Sequence, residues 1–218
     1  MTYTYKGVEI TWLGHDSFVI KKDKTIYIDP YKIRAGPLAD IVLITHDHFD
    51  HLSLDDLRKI VTEKTTIVAA KNCEQELRKL GKGIVKYMAA GDSLTLDNVS
   101  IKAVPAYNVN KFREPGKVFH PKEYGGVGYV ITVDKVSIYH AGDTDFIPEM
   151  RELKVDVALL PVSGTYVMTA AEAVEAASAI KPAVVIPMHY GAIVGSEKDA
   201  EEFKRLYKGE TVILKKQG

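Results

Sequence analysis

The segment Thr45–His51, THDHFDH, carries three of the chain's seven histidines and two aspartates in seven residues. Folding alone does not require such a density. His46 and His48 stand two apart, so in an extended segment both imidazoles point to the same side. Asp50 and His51 follow where the chain turns toward the next helix. Imidazole with carboxylate suits Zn²⁺, Mn²⁺ or Fe²⁺. Four candidate ligands in six residues exceed what one open catalytic ion takes from a single loop. One or two divalent ions are therefore expected, zinc or manganese foremost. A bound divalent ion lowers the pKa of water from about 15.7 to about 7, so the chemistry implied is hydrolysis. Asp50 is the candidate to orient or deprotonate the attacking water. Ser163 lies outside any GxSxG context, and Cys73 stands alone and reads as a half-buried helix residue, so neither is needed as a nucleophile.

These residues need a rigid frame. Short apolar, β-branched runs predict strands at VEITWL (8–13), SFVI (17–20), TIYI (25–28) and DIVLI (40–44). Ser53 with Asp56 marks the start of a helix, TTIVAA returns as a strand, and CEQELRKLG reads as a helix stopping at Gly81. A second β-rich stretch follows in DSLTL, VSIKAVPA, GVGYVITV and VSIYHA. VDVALLPV then reads as a buried strand, TAAEAVEAASAI as a helix capped by Thr169 with Glu172, and PAVVIPM as another strand. A helix opens at Ser196 and ends near Gly209, and TVILK reads as a closing strand. A meander followed by strand–helix alternation, repeated once, implies two packed sheets with helices outside. The longest irregular stretch is 108–127, and long loops in compact domains are often functional.

The pattern HxHxDH after an apolar strand resembles the metallo-β-lactamase superfamily. IYHAGDTD (138–145) resembles the family's strand-then-aspartate motif, and VVIPMHYG (184–191) its late strand ending in a ligand histidine. TWLGHDSFVI and YIDP resemble the branch that includes ascorbate-phosphate lactonase and the phospholipase D of N-acyl phosphatidylethanolamines. The resemblance covers nearly the whole chain and implies an α/β fold, a four-layer αβ/βα sandwich formed by residues 1–218 as a single domain. It implies His46 and His48 on one metal, Asp50, His51 and His189 on a second, and Asp143 between them.

One family histidine is missing, because Asn108 stands where the strand IKAVPA would deliver it. Asn108 could bind weakly through its carbonyl oxygen, His120 could swing in from the long loop or face the substrate, or the first site could be short of a ligand. His15 reads as an outer or substrate contact or as a structural histidine. His140 reads as a support rather than a ligand. Residues 108–126 carry Lys111, Arg113, Lys117 and Lys122 against Glu114 and Glu123. This loop, with Tyr107 and Tyr166 as further pocket candidates, suits a small anionic substrate that is partly apolar.

The expected function is metal-dependent hydrolysis of a phosphorylated compound, phosphodiester or lactone. The alternatives are a mononuclear iron dioxygenase of the same fold and a non-catalytic metal or ligand binder. Lys+Arg and Asp+Glu are both 29, so net charge argues against nucleic acid as the main partner. A single cysteine, no evident signal peptide and no apolar run near roughly 20 residues point to a cytoplasmic protein without a membrane span. Homo-oligomer formation stays open.

Overall fold

The computed structural model describes residues 2–217. Its first half is a seven-stranded sheet in sequence order: β1 (Thr2–Tyr5), β2 (Val8–Gly14), β3 (Ser17–Lys21), β4 (Thr25–Ile28), β5 (Ile41–Ile44), β6 (Thr66–Ala70) and β7 (Ile84–Met88). The first four strands pair antiparallel, and β4 to β7 run parallel. Parallel neighbours need crossovers. Helices α1 (Leu54–Ile60) and α2 (Glu74–Leu77) lie in two of them.

The second half begins with β8 (Ser93–Leu96) and β9 (Val99–Pro105). A small hairpin follows, β10 (Phe112–Glu114) with β11 (Lys117–Val118). Then come β12 (Val127–Val133), β13 (Val136–His140), β14 (Val157–Pro161), α3 (Ala170–Ile180), β15 (Val184–Met188) and α4 (Glu197–Leu206). Apart from the hairpin, these strands form a six-stranded sheet in the order β15-β14-β13-β12-β9-β8. Helices α3 and α4 pack on each other and on β14 and β15. The result is the α/β sandwich expected from the sequence.

The residue pattern explains the layering. β4, β5, β14 and β15 are buried along their whole length, as parallel strands covered on both faces must be. β2 alternates buried with more exposed positions, which marks a strand with one wetter face. Tyr129 of β12 crosses the core and donates its hydroxyl to the carbonyl of Ile44 at 2.9 Å. Two backbone bonds stitch the sheets where their strands end. Val127 N–H donates to the Thr45 carbonyl (3.0 Å), and His189 N–H to the His15 carbonyl (3.1 Å). Trp12 stacks on Tyr190 at 4.8 Å and donates its indole N–H to the same His15 carbonyl.

Several boundaries differ from the sequence reading. The edge strands β1 and β7 were not expected, since a strand with a solvated face lacks a dense apolar run. TVILK does not form a strand. It contributes one isolated parallel bridge, Thr211 to Val185. CEQELRKLG is a 3₁₀ turn and one short helix rather than one continuous helix. Cys73 is fully buried rather than half-buried, and burial pushes its thiol up, so it is inert at neutral pH. The 108–127 stretch contains the hairpin β10–β11. Among the described residues, no helix is long and apolar enough to cross a membrane.

Gly142 closes the turn that carries Asp143. Its φ is +64°, and a Cβ there would stand 2.9 Å from the Val127 carbonyl and 3.3 Å from the Thr45 side chain. Gly142→Ala is expected to cost about 1–3 kcal/mol, from the left-handed backbone and the contact together. Chemical denaturation measures it, and an unchanged midpoint would refute the constraint.

Candidate metal centre

The strand ends deliver two clusters to one edge of the sandwich. His46 and His48 leave β5, His120 leaves the segment between β11 and β12, and Asp143 follows β13. His46 Nε2 and His120 Nε2 lie 3.0 Å and 3.3 Å from His48 Nδ1. Asp143 Oδ2 lies 3.4 Å from His120 Nε2 and 3.9 Å from His46 Nε2.

On the other side of the same carboxylate, Asp143 Oδ1 lies 3.3 Å from His51 Nε2 and 3.4 Å from His189 Nε2. Asp50 Oδ2 lies 3.9 Å from His51 Nε2 and 3.0 Å from His15 Nε2. Asp16 Oδ2 completes this side at 3.5 Å from His15 Nε2, 3.7 Å from His51 Nε2 and 3.8 Å from His189 Nε2. Ligands bound at about 2.1 Å around one ion stand roughly 3.0–3.8 Å apart for angles from about 90° to about 130°, and most of the spacings here fall in that range.

The imidazoles of His46, His51, His120 and His189 each have a polar partner behind them. Asp29 Oδ2 takes the Nδ1–H of His51 at 2.8 Å, and it also accepts the Thr45 hydroxyl at 2.6 Å. The Thr45 oxygen in turn lies 3.0 Å from His46 Nδ1. Ser163 Oγ lies 2.9 Å from His189 Nδ1. His189 and His15 both hold left-handed backbone, φ +60° and +52°, fixed by the bond between them. Strained conformations of this kind persist only where the surroundings over-determine them.

Asn108 does not join the cluster, which corrects its candidacy as a ligand. Its Oδ1 accepts the backbone N–H of His120 and lies 2.9 Å from His120 Nδ1, while its Nδ2 donates to the Tyr166 carbonyl. Because that oxygen can only accept, His120 carries its proton on Nδ1 and turns Nε2 toward His46, His48 and Asp143. His140 is also a support. It accepts from Gly142 N–H at Nδ1 and donates from Nε2 to the Asp16 carbonyl at 2.8 Å.

The electrostatics identify what the clusters lack. Asp16 Oδ1 and Oδ2, Asp143 Oδ1 and His51 Nε2 are buried without a hydrogen bond. Leaving charged atoms so costs several kcal/mol each, unless a cation compensates them. The donor set, imidazole nitrogen with carboxylate oxygen, fits a divalent ion in each cluster. Burial lowers His51, but the carboxylates of Asp143, Asp29 and Asp16 outweigh it and hold its pKa well above the usual histidine range. Burial also lowers His189, yet Asp143 and Asp16 carry it up to about 9. His46 is held well below 6.5, by burial first and by His51 next. His120 is lowered too, mainly by burial. Asp143 stays ionised despite burial because His189 and His51 face it.

The remaining sequence candidates fall around the rim. Tyr107 donates to Glu149 and lies under the Lys122 ammonium at 4.9 Å. With Asn108, Arg113, Lys117 and Lys122 it lines a pocket of about 460 Å³. Tyr166 packs its ring on Phe119. Lys111 is tied to Glu172 at 2.7 Å and Asp145 at 3.4 Å, so its charge serves the loop rather than the pocket, against its reading as a substrate contact.

Sequence reasoning missed Asp16, Asp29 and Thr45. A signal existed for Asp29. It ends the apolar strand β4, whose parallel register with β5 sets it beside the start of the histidine loop.

A family model described as the β-lactamase superfamily domain matches residues 9–189. A UPF0173 metal-dependent hydrolase of Methanoculleus marisnigri is 39% identical over 94% of this chain and 91% of its own. One from Methanopyrus kandleri is 35% identical over 91% and 90%. Among solved structures, a protein of Parabacteroides distasonis, proposed as a metal-dependent hydrolase, superposes with a TM-score of 0.84 at 34% identity, covering 100% of this chain and 98% of that one.

The titration of the second cluster gives a pH prediction. His51 and His189 are both raised above the ordinary 6.5, so their protons stabilise the metal-free fold fully below about 6.5; the His189 contribution is lost as pH rises through about 9, and that of His51 as pH rises through its own raised value. A metal requires them deprotonated. Adding Zn²⁺ or Mn²⁺ to metal-free protein in weak buffer at about pH 7.5 is therefore expected to release protons, and apparent affinity should rise toward about pH 9. A pH-stat reads the release, and pH-independent binding without proton release would contradict this charge balance.

Proposed function

We propose, from the premise that the chain belongs to the metallo-β-lactamase superfamily and within it to the UPF0173 metal-dependent hydrolases, that it uses two divalent ions, zinc or manganese, to cleave a small anionic substrate: a phosphorylated compound, a phosphodiester or a lactone. That the protein is a metal-dependent hydrolase follows from its relatives. The two-ion reading rests on Asp143, whose two oxygens face two separate clusters at 3.3–3.4 Å on their near sides. In this reading His46, His48 and His120 would hold one ion, His51, His189 and Asp50 the other, and Asp143 would serve both. The ions supply Lewis acidity, making water a stronger acid and drawing electrons from the substrate's phosphoryl or carbonyl group.

The chain's own groups supply the rest. Burial raises the Asp50 carboxyl, but the hydrogen bond from His15 and the His51 and His15 imidazoles together outweigh it and keep Asp50 ionised, with Oδ2 anchored and Oδ1 able to accept a proton from attacking water. Asp29, Thr45, Ser163 and Asn108 hold the imidazoles in single orientations, so little reorganisation is needed as charge develops. Arg113 beside Tyr107 favours an anionic group, while Lys117 and Lys122 in the same pocket are paired with Glu114 and Glu149. Phe49 (67% exposed), between His48 and Asp50, and Tyr166 favour an adjoining apolar part. The single-iron dioxygenase reading is less well supported, because the two oxygens of Asp143 face two separate groups of candidate ligands.

Metal-loaded protein is expected to hydrolyse a member of a panel of phosphodiesters, phosphomonoesters and lactones. Asp143→Asn should lower kcat/KM on it by about 10³-fold or more, on the scale of removing a group that stabilises the transition state. Arg113→Ala should raise KM with little change in kcat. Hydrolysis by Asp143→Asn at the wild-type rate would defeat the proposal.

A further inference from the structure

Asp16 lies in the two-residue turn between β2 and β3, where Gly14 pairs with Ser17. Its side chain is fully buried, and neither carboxylate oxygen has a hydrogen-bond partner. Other buried carboxylates in this chain have at least one oxygen with hydrogen-bond donors or an imidazole closer than 3.5 Å. Asp29 takes two backbone or hydroxyl donors from Thr45 besides His51, and Asp145 takes the N–H groups of Val109 and Asn110.

The Asp16 main chain is clamped. Its own carbonyl accepts from His140, and the His15 carbonyl just before it accepts from both Trp12 and His189. The clamp fixes Asp16 Oδ2 at 3.5–3.8 Å from three imidazole Nε2 atoms, those of His15, His51 and His189. Those distances are too long for good hydrogen bonds and suit ligands sharing one ion. His15 Nε2 is already engaged with Asp50, which leaves Asp16, His51 and His189 converging with Asp143 Oδ1.

The geometry points to Asp16 as an additional carboxylate ligand of the second cluster, one that makes this cluster an oxygen-rich site for a hard divalent ion such as Mn²⁺. The inference rests on the reading that both clusters hold metal. The contrast between the clusters is chemical. His46, His48 and His120 with one Asp143 oxygen offer three nitrogens and one oxygen, a set that suits four-coordinate zinc. His51 and His189 with Asp16, Asp50 and Asp143 offer two nitrogens and three oxygens. Higher coordination number and oxygen donors favour Mn²⁺ or Fe²⁺ over tetrahedral zinc. The extra negative charge also offsets the second positive ion so close to the first. A carboxylate that merely filled space would gain nothing from ionisation here, and an uncharged residue would cost less to bury.

The test uses the full chain, stripped of metal and reloaded, with Asp16→Asn and Asp16→Ser beside wild type. Mn²⁺ affinity is read by electron paramagnetic resonance titration. Metal content after equal exposure to Mn²⁺ and Zn²⁺ is read by mass spectrometry, and melting is followed with and without metal. Wild type is expected to bind two ions, with Mn²⁺ enriched in one. Both variants should weaken the second Mn²⁺ by at least about 10-fold and shift the content toward zinc, while one zinc equivalent stays unchanged. The stabilisation added by Mn²⁺ should shrink. A purely structural Asp16 gives a different pattern, a lower metal-free melting point with unchanged Mn²⁺ affinity, and that result overturns the inference. Wild type binding two ions while the variants keep both Mn²⁺ affinity and metal ratio overturns it alone. Wild type taking up no ion overturns it together with the two-metal reading.

Discussion

The structure is organised around the compensation of buried negative charge. Asp16, Asp29 and Asp143 are essentially inaccessible, and Asp50 is close to it. Their charges are set against His15, His46, His51, His120 and His189. No arrangement of neutral hydrogen bonds could hold so many carboxylates at one seam without cost. The imidazoles respond in a graded way. Those facing several carboxylates, His51 and His189, are driven toward the protonated form, and those facing mainly other imidazoles or apolar burial, His46 and His120, are driven away from it. The protons on the former pair stand where cations would otherwise sit.

That compensation works only if strand ends from two sheets meet within a few tenths of an ångström. The parallel register of β4 with β5 sets Asp29 behind the histidine loop, and the fully buried strands β14 and β15 deliver Ser163 and His189 side by side. The bonds Val127 N–H to Thr45 and His189 N–H to His15 join the sheets at those positions, one behind each cluster. Hydrophobic burial supplies the stability of the frame. The polar cross-links choose its register, and a slip of one residue in β5 or β15 would turn the ligands to the wrong face.

Much of this was legible in the sequence because it depends on local pattern. The buried strands are continuous apolar runs, the cap of α3 is spelled by Thr169 and Glu172, and the HxHxDH loop announces its chemistry by density alone. What stayed hidden depends on distant partners. Asn108 occupies the expected place of a ligand, and only the fold reveals that it aims His120 instead. Asp16 sits in an ordinary-looking turn, and nothing local separates it from a solvated turn aspartate. Its meaning comes from His51, in the loop after β5, and His189, after β15, whose imidazoles face its carboxylate. Edge strands β1 and β7 escaped for a different reason, since half-solvated strands have no strong apolar signature. TVILK misled because a β-branched run lying beside β15 can bond through two backbone groups without building a ladder.

The substitution of a loop histidine for a strand-end histidine has a structural consequence. His120 belongs to the same segment that carries Arg113, Lys117 and Lys122, and its position is set by Asn108, which is tied in turn to the Tyr166 carbonyl. In the two-metal reading, the element that recognises the anionic substrate therefore also completes the first cluster. The second cluster takes His189 from the end of β15, Asp143 from the end of β13, His51 and Asp50 from the loop after β5, and faces the clamped β2–β3 turn. A displacement of the 108–124 segment would alter substrate contacts and first-site affinity together and leave the second site intact. In the two-metal reading the centre thus divides into a half whose third imidazole is delivered by the 108–124 segment and a half closed by His189 at the end of β15.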